Sequence, residues 1–142
     1  MVDERELRQA LRAKLNNVTG LPSFLADENR DFDPPAPTQG AIWVHEYLIP
    51  LDESIISSGY IQSLGIVQYT VYVPKESGTE AAEDLATAIA AEFAPTGSGV
   101  TVDGNTVHLY KTQRLPAEVS PEFPAWRAKP VHVYWRAFTP SN

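Results

Sequence analysis

GIVQYTVYVPKESGTEAAEDLATAIAAEF, residues Gly65 to Phe93, is the stretch on which the fold turns. Val67, Tyr69, Val71 and Val73 alternate with Ile66, Gln68, Thr70 and Tyr72, the period-two pattern of a strand with one strongly buried face. Pro74 ends the run, and a polar turn from Lys75 to Gly78 follows it. Ala82, Leu85, Ile89 and Phe93 then recur at helical spacing with Ala86 and Ala90 beside them, which predicts an amphipathic helix whose apolar stripe needs a sheet beneath it. Ser77 and Thr79 compete for the N-cap. Ser77 with Glu80 three residues on has the form of a capping box, and Pro95 bars continuation at the far end.

Beyond the helix, Val100 to Val102, the turn Asp103-Gly104-Asn105 and Thr106 to Tyr110 read as a hairpin, because an Asp-Gly pair suits the positive φ that a tight hairpin turn requires. Leu115 to Ala128 reads as irregular. It carries Pro116, Pro121 and Pro124 with Phe123 and Trp126 embedded, and aromatics so placed usually pin a loop to its own domain. Val131, Val133, Trp135 and Ala137 alternate with His132, Tyr134, Arg136 and Phe138 in a final strand from Pro130 to Thr139.

Toward the N-terminus, Asp52 to Ser63 scatters Ile55, Ile56, Tyr60 and Ile61 among Ser and Gly and reads as a long hairpin loop. Apolar residues at a loop tip usually tuck back onto their own domain, whereas left exposed they form a contact patch for another subunit; Ser57, Ser58 and Gly59 offer little reason to fold back, and contact with a partner is the reading put forward. Ala41 to Leu51 is a strand with Ile42, Val44 and Leu48 on one face and Trp43, Tyr47 and Ile49 on the other. Glu46 falls in the first set, which suggests that the strand's end leaves the core. Asp31 to Gly40, with Pro34-Pro35-Ala36-Pro37, is a stiff surface connection, either a plain connector or an arm laid on a neighbouring chain. Phe24 to Asn29 forms at most a short extended piece. At the start, Asp3 caps a helix in which Leu7, Leu11, Leu15 and Val18 share one side, and Arg5, Arg8, Arg12 and Lys14 read as a solvated outer face.

The order helix, strand, strand, helix, hairpin, strand predicts an α+β fold, a mainly antiparallel (mixed) sheet with two helices packed on one side. Residues 1–142 form a single domain, large enough to bury roughly 70% of the unfolded surface. The expected core is Leu7, Leu11, Leu15, Val67, Tyr69, Val71, Leu85, Ile89, Phe93, Val133 and Trp135.

Chemistry is hard to find. The chain has no cysteine, which removes disulfides and thiolate metal sites and leans toward a cytoplasmic setting. His45, His108 and His132 each sit in a predicted strand without metal-ligand spacing, and the dipeptide His45-Glu46 lacks the second histidine of a zincin, Ile49 standing in its place. Asp27, Glu28, Asp31 and Asp33 lie on a polar loop with nothing to raise a pKa. Gly97-Ser98-Gly99 leads into a strand, not a phosphate-binding helix. The expectation is therefore no catalytic residue, no cofactor and no metal. No apolar run approaches the roughly 18 residues of a membrane span, and the charged opening helix is no cleaved leader, so a soluble chain without a membrane partner is expected. Eighteen acidic against 11 basic residues, a formal charge of −7, repel phosphate backbones and argue against gripped nucleic acid.

Four stretches, taken in order, carry a resemblance. Glu28-Asn29 with Phe32-Asp33-Pro34-Pro35 and Ile42-Trp43-Val44 is one, and the strand Gly65 to Pro74 is the second. Gly78-Thr79 with Leu85-Ala86 and Ile89 is the third, and Tyr134-Trp135-Arg136-Ala137-Phe138-Thr139 the last. From Leu7 to Thr139 the chain resembles the tail-terminator-like minor tail proteins of long-tailed bacteriophages. It departs in the long Leu115 to Ala128 segment and in the isoleucine-containing segment before Gly59. The resemblance implies a structural, non-enzymatic virion protein at the head-proximal end of the tail, made in the host cytoplasm. It implies a hexameric ring that caps the tail tube protein, ends tube polymerisation and offers a head-tail joining surface to the connector protein, with DNA passing through the lumen without specific binding; the charge of −7 suggests that this lumen is acidic. Other readings are a different neck or head-completion component, or a monomeric binding domain. The candidate subunit or tube interface comprises Pro34, Pro35, Ile55, Ile56, Tyr60, Ile61, Phe123 and Trp126.

Overall fold

The computed structural model describes residues 2–22, 25–27, 34, 36–37, 41–57, 59–95 and 99–140, with backbone alone at 25, 27 and 57. Two helices, α1 (Glu4–Leu15) and α2 (Glu80–Glu92), accompany strands β1 (Leu25–Asp27), β2 (Trp43–Ser57), β3 (Tyr60–Pro74), β4 (Val100–Val102), β5 (Asn105–Arg114), β6 (Glu118–Val119) and β7 (Trp126–Pro140). The sheet runs β1-β2-β3-β7-β5-β4, with β6 paired to β7. Every pairing is antiparallel except β1 with β2, so the sheet is mixed and the fold α+β, as the sequence predicts.

β3 is the centre. Its 15 residues pair with β2 on one side and, from Tyr60↔Pro140 to Pro74↔Trp126, with β7 on the other. The alternation legible in Val67, Tyr69, Val71 and Val73 places all four under the helices, beside Val44 and Leu48 of β2 and Val131, Val133, Trp135 and Ala137 of β7. Leu7, Leu11 and Leu15 of α1 and Ala82, Leu85, Ala86 and Ile89 of α2 close over them, followed by Phe93, whose ring lies 5.2 Å from that of Tyr69. All eleven residues expected in the core are buried there. α1 touches β4 near one edge of the sheet and reaches Glu46 of β2 near the other, so the sheet curls around it. Gly65 has a steric cause: a Cβ there would run into the Trp135 indole and stand 2.8 Å from the Ile49 carbonyl oxygen.

Three local expectations are corrected. The Asp52 to Ser63 segment is not a loop: β2 continues to Ser57 and β3 begins at Tyr60, with a bulge between Pro50 and Asp52. The ladder persists because β7 backs it as a third strand, and three strands hold where an isolated pair is marginal. The Ser77–Glu80 capping box does not form. Ser77 lies in a 3-10 turn and donates its hydroxyl to the Pro74 carbonyl, while Thr79 takes the N-cap position. Asp3, by contrast, accepts from the amides of Arg5 and Glu6 as expected, and the Asp103-Gly104 hairpin turn has both residues at positive φ.

The third correction concerns charge. Glu46 does not mark a strand leaving the core, and Arg12 does not belong to a solvated face. The Glu46 side chain is only 5% exposed, and Arg12 reaches down from α1 with Nη2 2.9 Å from Oε1 and Nε 3.3 Å from Oε2. A carboxylate at a core position demands such a fork, since an unpaired buried charge is among the costliest defects a fold can carry. Tyr69 stands opposite Glu46 in the ladder. Burial first, and the neighbouring carboxylate second, hold its hydroxyl well above the usual tyrosine range, so it stays a neutral phenol.

Two outcomes follow for stability. Ile89→Ala, which empties a fully buried site, is expected to cost about 2 to 5 kcal/mol in denaturant unfolding; wild-type stability would place α2 off the sheet. Arg12→Met is expected to cost about 3 to 5 kcal/mol by stranding Glu46, and the double variant Arg12→Met with Glu46→Leu to recover most of that loss. Equal losses in the single and double variants would contradict a buried pair.

Candidate subunit and tube interface

The three long strands, at about 3.3 Å per residue, extend close to 50 Å each. The helices cover only part of that length. Past Pro50 the β2–β3 hairpin, flanked by the end of β7, forms a ribbon bearing exposed apolar side chains. Ile55 is 76% exposed, Leu51 55%, Tyr60 51% and Ile56 48%, while Ile61, opposite Ile55, is half-buried. Solvation of so much apolar surface is unfavourable by about 25 cal/mol per Å², so the tip has the chemistry of a contact surface.

The remaining predicted contact residues are placed differently. Pro34 is half-buried, and Pro35 lies outside the described residues. Trp126 is 3% exposed and joins Trp43, Tyr72 and Ala26 in a second cluster on the sheet face away from the helices, with Phe123 packed against it. Trp43 stacks on Tyr72 at 3.9 Å between centroids, and Phe123 and Trp126 meet Trp43 edge-on at 5.1 and 5.9 Å. The Ser120 hydroxyl accepts from the Phe123 amide and the Ser120 amide donates to the Trp126 carbonyl. Both aromatics are thus committed to their own chain, which is what the pinned-loop reading of this segment expects. Burial raises the pKa of the Tyr72 phenol, with the Glu122 carboxylate acting in the same direction.

Sequence reasoning missed the open face between the cluster and the ribbon. There Arg136 lies over the rings of Tyr110 and Phe138, at 5.4 and 5.6 Å, and Lys111 over Tyr134 at 4.9 Å. His132 Nε2 is 3.0 Å from the Gln68 side-chain oxygen. The signal was available in the alternation of His132, Tyr134, Arg136 and Phe138, one face of a strand with no helix to cover it.

A groove of about 610 Å³ lies between the start of α1 and the base of the ribbon, lined by Asp3, Glu4, Asp52, Glu53, Ser63 and Trp135 among others. Three of its four acids have structural tasks: Asp3 caps α1, Asp52 accepts from the Glu53 amide, and Glu53 accepts from the Ser63 hydroxyl. No group of three acidic or histidine side chains among the described residues is placed to hold a metal ion, and no described helix is long and apolar enough to cross a membrane.

The described chain is thus an acidic α+β fold that projects an apolar ribbon. The family profile described as Phage tail terminator protein matches residues 6–135, and the chain belongs to that family. Among solved structures, a chain titled only by a sequence identifier shares the fold at a TM-score of 0.66, with 19% identity over 95% of each chain. A chain from the virion of a native gene transfer agent particle does so at 0.63, with 16% identity over 97% of each. No curated protein matches by sequence. Family membership makes the chain a structural component of a phage-type tail.

A pH dependence follows from His132. Burial lowers its pKa from 6.5. As the pH falls, the unfolded chain takes up this proton before the folded one, so the contribution is complete above about 6.5 and is lost below it. Urea unfolding of wild type and His132→Gln at about pH 7.5 and about pH 5.5 should show a shallower acid loss in the variant; identical slopes would mean that the ring is as solvated folded as unfolded.

Proposed function

We propose that this chain is a tail terminator that assembles into a ring, hexameric by family resemblance, on the finished tail tube. There it stops tube polymerisation and offers its other side to the head connector. The observation that carries the reading is the ribbon tip, where Ile55, Ile56 and Tyr60 are held out on a three-stranded support that nothing in the described chain covers. Each such side chain contributes on the order of 1.5 to 3 kcal/mol when buried at a partner. Because the ladder already orders the ribbon, little of this is lost to fixing backbone, which in a free loop costs roughly 1 to 2 kcal/mol per residue. The Pro34 segment supplies a second contact, an arm on the neighbouring chain. DNA crosses the lumen without being gripped, in keeping with the net charge of −7, since like charges facing it repel within about 8 Å at physiological salt.

The test is the double variant Ile55→Ser with Ile56→Ser, followed by thermal unfolding and by tail assembly. Wild-type melting with overlong or headless tails is the expected outcome. A collapse in stability would assign the tip to the chain's own core, and normal tails would remove it from the interface.

A further inference from the structure

The ribbon leaves one more surface without a partner: its backbone edge. β1 pairs with β2 only at Val44, His45 and Glu46, so among the described residues 51–57 of β2 have no strand on that side. At the opposite side of the sheet, β4 pairs with β5 only from Asn105 to Val107, which leaves His108 to Arg114 equally open among the described residues. Open edges of this kind accept a further strand, and in soluble proteins they are usually short, bulged or charged to prevent it. Here the two charges are opposite. The β2 edge carries Asp52 and Glu53, and the β5 edge carries Lys111 and Arg114.

We infer that copies of this chain join head to tail by edge addition, the β2 edge of one pairing with the β5 edge of the next; this rests on the ring reading above. β2 and β5 run in opposite directions across β3 and β7, so a neighbour in the same orientation adds β5 to β2 antiparallel. Side-chain direction then limits the registers to those that match faces, and the charges choose among them. Asp52 shares its face with Leu64 and Glu53 the helix face with Ser63, while Gln113 sits opposite His132 and Thr112 opposite Val133. Pairing Asp52 with Gln113 and Glu53 with Thr112 keeps every face matched and brings Ser54 opposite Lys111. It also sets Asp52 diagonal to Lys111 on one face and Glu53 diagonal to Arg114 on the other, within reach of long side chains.

The β5 edge has room for this. A groove of about 430 Å³ beside it is lined by Thr87, Ala90, Ala91, Thr112 and Arg114, small side chains with one cation, where the incoming Glu53 would lie. The bulge between Leu109 and Lys111 ends the match, so Ile55, Ile56 and Tyr60 project past the joint and stay available to the tube. Two different patches per subunit make the contact heterologous, the type that closes into a ring.

The chain has no cysteine, which makes cross-linking clean. Ser54→Cys with Lys111→Cys places the two thiols on strands three spacings apart within a chain, roughly 14 Å along the sheet and too far to bridge. Oxidation of the concentrated double variant should therefore give an intermolecular ladder ending in a closed species, and each single variant at most a dimer. Independently, Asp52→Lys with Glu53→Lys should weaken self-association by about a hundredfold, and adding Lys111→Glu with Arg114→Glu should restore it. Wild-type rings seen by light scattering and electron microscopy, with neither ladder nor charge rescue, would overturn edge addition and leave the ring reading standing. Wild type that forms no ring under any condition, tail tubes included, would overturn both.

Discussion

The structure depends on β3 being paired on both sides, with β7 along its whole length and with β2 from Tyr60 to Tyr72. A two-stranded hairpin reaching beyond a small core is marginal in water, because its exposed ladder competes with solvent and its side chains bury little. The third strand is β7, whose residues 138–140 pair with β3 from Gln62 back to Tyr60, beyond the part of the sheet that the helices cover. With β7 in place the ribbon is an extension of the core sheet and inherits its order. Gly65 marks the junction, where the absence of a side chain lets the Trp135 indole pack directly on the β3 backbone.

This support explains how the molecule carries surface that would otherwise be a liability. Ile55, Leu51 and Tyr60 on an unsupported loop would collapse onto the nearest apolar patch. On a ladder their directions are set by strand geometry, so they stay presented. The same rigidity reduces the entropy lost on contact, which favours assembly in which shape, not folding, determines the outcome.

Inside the sheet the arrangement is reversed, with polar groups brought in and neutralised. Arg12 spans from α1 to Glu46 of β2 and ties the N-terminal helix to the sheet edge that leads into the ribbon. Lys14 makes a looser contact with Glu92, at 3.8 Å, joining α1 to the end of α2. A buried fork of this kind adds specificity more than net stability, since desolvation offsets most of the attraction, and it selects one docking of α1 over its apolar alternatives.

What the sequence by itself determined was whatever depends on short-range periodicity. The alternation from Val67 to Val73, the stripe Ala82-Leu85-Ile89-Phe93, the leucines of α1 and the Asp103-Gly104 turn each specify local geometry, and through burial the core and the α+β class. The four ordered stretches were also enough to point to the tail-terminator family that the profile match establishes. Tertiary structure alone decided whatever depends on residues distant in the chain. Asp52 to Ile61 has weak strand propensity, and only the pairing with β7, some 75 to 90 residues on, turned it from loop into ribbon. Glu46 reads locally as a residue leaving the core, and only the arrival of Arg12 from another element shows it buried. Phe123 and Trp126 read from the sequence either as loop-pinning or as contact aromatics, and Trp43 and Tyr72 beneath them show what they pack on. The physical reason is common to all three: a strand's partner, a charge's counter-ion and a ring's neighbour are supplied by the fold, and nothing within a few residues of each encodes them.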